Sequence, residues 1–342
     1  MKAAAVTPGL SSDGQIAMSG VSDLVQRADL DGLVRMVDSL CASKDWAALA
    51  DLRDRSRAAV LTGRQLWPAA TLAEYRLALW APEEWAATML DESSGRFTIG
   101  PLTEVAAQHH TYEALARHLD GGPRAGFVAH ERALRGEAIP DDAPNPLDIP
   151  FEIQRWEPEY SLATYSDEGV DAPGPALPPA DQFRAAKPKA TITRVDDVSV
   201  TLAVRQLLDT WTAASDGKVE VVCVEGDAAT AIEALGIEQP HLAELSAADA
   251  LAWMAWAGAS GGAHGKRRGA AAGRFGAWWL LAALGDLLDD WPVQPGQLHV
   301  LADELSWYWW RGDRPESGWS LQLAVEDKDE GYAWAINAHD SD

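Results

Sequence analysis

Cysteine is nearly absent from this 342-residue chain: Cys41 and Cys223 are the only two, in different halves and on apolar patterns. A disulfide-stapled fold is therefore not expected, and each cysteine reads as a buried free thiol outside any electropositive setting. Lysine is scarce as well, with 7 against 21 arginines, which together with abundant alanine reflects GC-rich coding rather than function. Long apolar runs are missing. A bilayer span needs about 18 or more apolar residues, whereas the longest candidate, Phe275 to Leu284, is short and is followed by Asp286, Asp289 and Asp290. Residues 1–19 have one lysine and no apolar segment of signal-peptide type, so they read as a flexible leader. No Gly-x-Ser-x-Gly elbow occurs. The expected location is the cytoplasm, with no membrane partner.

Acidity is what the chain has in excess. Its net charge is −24, from 28 Lys and Arg against 52 Asp and Glu. The charge is not spread evenly. Up to Arg135 there are 14 basic and 17 acidic residues; from Glu137 to Ala190 there are 4 and 11; from Thr191 onward there are 10 and 24. Such a field repels nucleic acid and anionic surfaces, which counts against non-specific nucleic-acid binding.

At 342 residues the chain can hold two cores, and the apolar content of 47% suits a globular protein. Residues 20–136 predict helices throughout. Leu30, Leu33, Val34 and Val37 fall at helical spacing, and Trp46, Leu49 and Leu52 continue the pattern towards Gly63. Pro68 opens the next helix, and the acidic turn Pro82-Glu83-Glu84 opens another. Further helices are predicted over Leu102–His110, Tyr112–Leu119 and Pro123–Leu134. Short connections between them imply an all-α array of helical hairpins or a bundle. Trp46-Ala-Ala-Leu49 echoes Tyr112-Glu-Ala-Leu115 at an offset of 66. Trp46 with Leu49 also resembles the opening of a tetratricopeptide unit, without the rest of that pattern; an irregular bundle is the preferred reading.

Residues 137–190 hold ten of the 19 prolines and read as an acidic linker or wrapping arm. Its aromatics, Phe151, Trp156, Tyr160 and Tyr165 among them, suggest an arm pinned to one domain. Residues 191–342 predict a tryptophan-rich α+β domain. Val219 to Val224 reads as a strand buried on both faces. Ser246 and Asp249 make a capping-box start for a helix carrying Trp253 and Trp256. The chain then closes on an antiparallel three-stranded meander: Leu305, Trp307 and Trp309 share a face, as do Trp319, Leu321, Leu323 and Val325, and as do Tyr332, Trp334 and Ile336. The fold class is α+β overall.

One segment carries the candidate site. Between Val219 and Trp310 the only Lys or Arg residues are Lys266, Arg267, Arg268 and Arg274, set in a glycine-rich island with Gly261, Gly262, His264 and Gly265. A phosphate-loop motif is not present, because Ser260 stands where its first glycine belongs and Arg267 where its Ser or Thr belongs. The physics of anion binding survives without it: glycines expose backbone N–H groups, a helix start follows, and arginines offer forked donors. The island predicts either an anion site or an internal clasp for the protein's own acids, such as Asp286, Asp289, Asp290 or the acidic linker. Eleven of the 16 tryptophans lie from Trp211 onward, and Trp307, Trp309 and Trp310 are candidates for an aromatic platform or for core packing. His109, His110, His118 and His130 match no zinc-helix spacing, and no metal or cofactor is expected. The acid pairs Asp196-Asp197 and Glu326-Asp327 read as solvated turn residues.

The leading expectation is a non-enzymatic interaction or adaptor protein, the helical part giving a partner groove. The first alternative is an enzyme or sensor for an anionic, phosphorylated small molecule built on the Gly261–Arg274 island, with His264 as its proton-transfer group. The second is a nucleic-acid-associated protein.

Overall fold

A computed structural model describes residues 12–90, 100–188, 191–312 and 318–341. Between the first two meander strands the sequence predicts a polar turn, Gly312-Asp313-Arg314-Pro315-Glu316, which from Asp313 on lies outside the described residues. The chain divides into two compact units: Met1–Arg124 with Tyr165–Gly169, and Ala125–Thr164 with Val170–Asp342. The fold is α+β, with an all-helical N-terminal part and a C-terminal antiparallel sheet.

The first unit holds α1 (Ser12–Arg27), α2 (Leu30–Ser43), α3 (Trp46–Leu61), α4 (Trp67–Trp80), α5 (Glu83–Leu90), α6 (Leu102–Ala107) and α7 (Tyr112–Ala116). Helix α1 begins inside the segment expected to be a flexible leader, and its Val21 and Val25, one turn apart, are buried. Aspartates start the next two helices: Asp29 accepts from the Gly32 N–H at 2.9 Å and Asp45 from the Ala48 N–H at 3.1 Å. Helix α4 is packed by α2, α3, α5 and α6, and from Ala69 to Leu79 only Thr71 and Leu72 are less than fully buried. Its alanines permit that close approach, and its two buried charges are paired, Glu74 with Arg57 and Arg76 with Asp167. The echo between Trp46 and Tyr112 does not mark equal repeats, since α3 has 16 residues and α7 has five.

The segment Tyr165–Gly169 also belongs to this unit. Tyr165 donates to Glu104 Oε2 at 2.6 Å, and Tyr75 donates to the Ser166 carbonyl at 2.6 Å. Arg76 pairs with Asp167, and Trp80 Nε1 donates to Asp167 Oδ1 at 2.8 Å.

After α8 (Pro123–Leu134) the chain forms a short ribbon, β1 (Thr164–Ser166) and β2 (Gly169–Asp171), and the second unit then builds one sheet. Its strands are β3 (Arg184–Ala185), β4 (Thr193–Val195), β5 (Lys218–Glu225), β6 (His241–Leu245), β7 (Ser306–Arg311), β8 (Trp319–Asp327) and β9 (Tyr332–Asp340). Their order is β3-β6-β7-β8-β9-β5-β4, antiparallel at every pairing. The predicted meander is its centre, extended by β6 and β3 on one side and by β5 and β4 on the other. The helices are α9 (Val198–Leu207), α10 (Asp209–Ala213), α11 (Ala228–Ala234), α12 (Ala247–Ala259), α13 (Ala270–Leu284) and α14 (Pro295–Glu304).

Register explains the core. Trp307 faces Val325, which faces Trp334, which faces Cys223; the next row is Trp309, Leu323, Ile336 and Val221. Both rows belong to the large core formed with α9, α12, α13 and α14. The other face carries Trp310 and Val224 with Ala324, Ala333 and Ala335, whose small side chains make room for α11. Because α11 is only seven residues long, the β5 run expected to be buried on both faces is fully buried only at Cys223 and Val224. The arm contributes Leu147, Ile149, Trp156 and Tyr160 to this core, while Tyr165 serves the helical unit.

Candidate functional site

The basic island is the loop between α12 and α13. Ser260 closes α12 with its carbonyl accepting from Thr210 Oγ1 at 2.9 Å and its hydroxyl from Trp211 Nε1 at 2.8 Å. The chain then doubles back so tightly that a Cβ on Gly261 would collide with the Gly265 carbonyl, and one on Gly265 with the Gly261 carbonyl. Gly262 has φ +68° and Gly269 φ +96°, conformations costly for other residues. The glycines thus answer to the fold of the loop itself.

The loop does hold an anion, and it is a carboxylate of the same chain. Asp340, 1% exposed at the end of β9, accepts the Ala263 N–H at Oδ2 (2.7 Å) and the Ser215 hydroxyl at Oδ1 (2.9 Å). The start of α13 is filled likewise: the Ala271 N–H donates to Glu131 Oε1 at 2.8 Å, and Glu131 Oε2 meets Arg135 at 3.2 Å. Helix α13 then presents Arg274, which is fully buried. Its Nε and Nη2 fork onto Glu157 Oε2 and Oε1 at 2.6 and 2.7 Å, and its Nη1 donates to the Pro150 carbonyl at 2.7 Å.

Glu157 is among the most heavily bonded groups of the molecule. It also accepts from Tyr160 at 2.6 Å, Trp278 Nε1 at 3.0 Å and the Gln154 N–H at 2.8 Å. Burial works to raise its pKa, but the Arg274 fork and these donors outweigh it and hold the carboxyl below the ordinary range. Burial and the Glu157 charge together drive the Tyr160 phenol well above its ordinary value. Of the remaining island residues, Arg267 is buried, Lys266 half-buried and His264 exposed, and Arg268 donates to the Gln206 carbonyl at 2.8 Å.

The three strand tryptophans are placed in the cores. Trp307, Trp309 and Trp310 are at most 3% exposed, so none is an open platform for stacking. Trp253 of α12 lies 4.3 Å from Trp309 between ring centres, and the indole N–H groups of Trp307 and Trp310 donate to the carbonyls of Ala302 (2.9 Å) and Ile336 (3.2 Å). His130 of α8 is buried against Phe151 and shares a 2.9 Å hydrogen bond with Asn145. Desolvation lowers its pKa to about 4, so it is neutral at physiological pH. Among the described residues no group of three or more His, Cys, Asp or Glu is placed to hold a metal ion, and no helix is long and apolar enough to cross a membrane.

The second unit has an open cleft of about 760 Å³ where the start of α9, the end of α13, α14 and the β8–β9 turn converge. Its floor is apolar: Val195, Val198, Leu284, Leu301 and Trp334. Its rim is acidic: Asp196, Asp197, Asp286, Asp327 and Glu330, and no basic residue lines it. Two of these acids have structural duties. Asp197 caps α9 through the Val200 N–H (2.9 Å) and accepts Trp334 Nε1 (2.8 Å), and Asp327 accepts the N–H groups of Asp329 (3.0 Å) and Glu330 (2.9 Å). Asp196, Asp286 and Glu330 point no such bond inward and are exposed. Cys223 lies in the floor, but burial and the nearby Asp197 charge push its thiol up to about 12, which removes it as a nucleophile near neutral pH.

A second cleft of about 530 Å³ on the α11 side has mixed charge, with Arg184, Lys187, Asp227, Glu244 and Glu326 around Tyr308. Cations and acids there can balance one another; in the first cleft nothing does.

A family model matches residues 31–342 of the chain. The chain belongs to a family of unknown function, DUF6183. Neither a search of curated proteins nor one of solved structures finds a match.

For this family member, sequence reasoning placed the island's acidic partners at Asp286, Asp289, Asp290 or in the linker; Glu157 does lie in that linker, while Glu131 and Asp340 are the carboxylates it missed. Glu131, Glu157 and Asp340 lie 140, 117 and 77 residues from the island groups they serve. Nothing local marks them out among 52 acids. The acid pairs noticed at Asp196-Asp197 and Glu326-Asp327 send Asp196, Asp197 and Asp327 to one cleft.

Proposed function

We propose that this chain is a non-enzymatic interaction protein that receives a partner protein in the acid-rimmed cleft of its C-terminal unit. The observation that carries this reading is the contrast between the two charged features. The donors of the island at Ala263, Ala271 and Arg274 are taken up by the chain's own carboxylates. The cleft, in contrast, keeps exposed acids over an apolar floor with no cation among its lining residues. Open apolar surface rimmed by polar groups is the usual form of a recognition surface. A partner groove in the helical part has less support, because α4 already fills the middle of that unit.

An enzymatic reading would need a group suited to attack or proton transfer. Cys223 is held as the thiol, and Asp197 and Asp327 are engaged in capping and turn hydrogen bonds. The test is affinity capture with the full chain and with the D196N/D286N/E330Q triple variant, followed by reconstitution from purified components. A partner that binds the wild type, weakens at least tenfold with the variant and rebinds when purified supports the reading. Absence of any such partner, or turnover of a substrate by the purified chain, overturns it.

A further inference from the structure

The chemistry of the cleft narrows what can occupy it. The five acids come from three separate stretches of chain, Asp196-Asp197, Asp286 and the turn from Asp327 to Glu330, and stand around a rim instead of converging on one point. That spacing does not suit a divalent ion, which requires several oxygens within roughly 2.0–2.6 Å of one centre, and no such grouping occurs among the described residues. It suits a ligand that carries several positive charges at intervals.

The apolar surface does not stop at the cleft. Val198 lines it and is 56% exposed, and Leu202, one helical turn further along α9, is 51% exposed. An occupant that covers both reaches beyond the cleft, as a polypeptide does and a small cation does not. A second copy of this chain would bring another −24 of net charge to an acidic rim and is opposed by like-charge repulsion.

Resting on the interaction reading above, we propose that the occupant is a short basic and apolar segment of a partner protein. Its Lys or Arg stems lie on Val198, Leu202 and Leu301, and their charged heads meet Asp196, Asp286 and Glu330. Long cationic side chains are suited to this double role, since their methylenes bury on apolar surface while the head stays wet. The contacts on the rim are exposed, so each is individually weak and sensitive to salt.

The experiment is a fluorescence anisotropy titration of the full chain with a fluorescein-labelled ten-residue peptide of alternating Arg and Leu. Spermine and an alternating Glu and Leu peptide serve as competitors. The expected result is saturable binding that weakens at least tenfold between 50 and 500 mM salt. Binding should fall at least tenfold in D196N/D286N/E330Q and at least threefold in V198Q/L202Q, with each variant retaining the wild-type melting temperature within a few degrees. The triple variant D141N/D142N/E238Q removes as many exposed acids, none of which lines the cleft, and should bind as the wild type does. Equal loss in the two charge variants, no binding by the wild type, or full displacement by spermine with no effect of V198Q/L202Q overturns the proposal. If the basic peptide fails while a captured partner still depends on the rim acids, only the basic-segment inference falls. If both fail, the interaction reading falls with it.

Discussion

Arg274 and Glu157, 117 residues apart in the chain, meet as a forked pair that is almost wholly buried, with bonds of 2.6 and 2.7 Å. The pair joins α13 to the arm, and the Pro150 and Glu152 carbonyls complete the shell of the guanidinium at 2.7 and 3.3 Å. Burying two charges costs several kcal/mol each, so such a pair adds little net stability over an apolar equivalent; losing one partner, however, strands the other. Its effect is to select one position for the arm against the sheet unit.

The loop beside it should behave as a second clasp. Replacing Asp340 by Asn turns one acceptor into a donor facing the Ala263 N–H or the Ser215 hydroxyl. A loss of about 2 kcal/mol is expected. Urea denaturation gives the size, and faster hydrogen exchange at the Ala263 amide gives the location. Unchanged protection at that amide would mean that the carboxylate does not hold the loop.

Gly265 is expected to be irreplaceable for steric reasons. Gly265→Ala drives a methyl into the Gly261 carbonyl and should cost about 1–3 kcal/mol or more. Gly63→Ala serves as a contrast, because its surroundings are open and only its φ of +88° opposes the change. Thermal melts of the two variants should rank Gly265→Ala as the more damaging. The reverse order would count against the packed loop.

His130 ties stability to pH. Its folded pKa, about 4, lies below the ordinary 6.5, so the unfolded chain takes up the proton first as pH falls. The stability present above pH 6.5 is lost progressively down to pH 4, and about 2 kcal/mol of it is gone by pH 5. His130→Gln does not titrate. The difference between wild type and variant should therefore change by about that amount between pH 7 and pH 5. A constant difference would show that His130 is not held neutral. Glu157 acts in the same direction at lower pH, since its carboxyl is held below the ordinary 4.5.

Much of this architecture can be read from the chain. Helices α2 to α8, the Ser246 cap and the three meander strands follow from periodicity and turn residues alone. Strand β6 was harder to see, because His241 and Glu244 interrupt its apolar pattern and five residues carry little period. Strands β3 and β4 have two or three residues each and owe their form to the neighbours they pair with. The island was visible as a charge anomaly, and its two readings, open anion site or internal clasp, differ only in where distant carboxylates go. That is decided by tertiary folding over 77 to 140 residues of chain, which local spacing does not encode. The cleft was hidden for the same reason: its acids come from three stretches that look like ordinary solvated turns.

The most direct test of the central claim, that the basic island is a clasp for the protein's own acids, is a double-mutant cycle on Arg274 and Glu157 read by urea denaturation. Arg274→Met alone and Glu157→Leu alone should each cost about 3–5 kcal/mol, while the double variant should recover at least about 2 kcal/mol of the summed loss. Inorganic phosphate at 10 mM should leave the wild-type melting temperature where chloride of equal ionic strength leaves it. Additive losses, together with a phosphate-dependent rise in melting temperature that Arg274→Met abolishes, would contradict the account and make the island a site for an external anion.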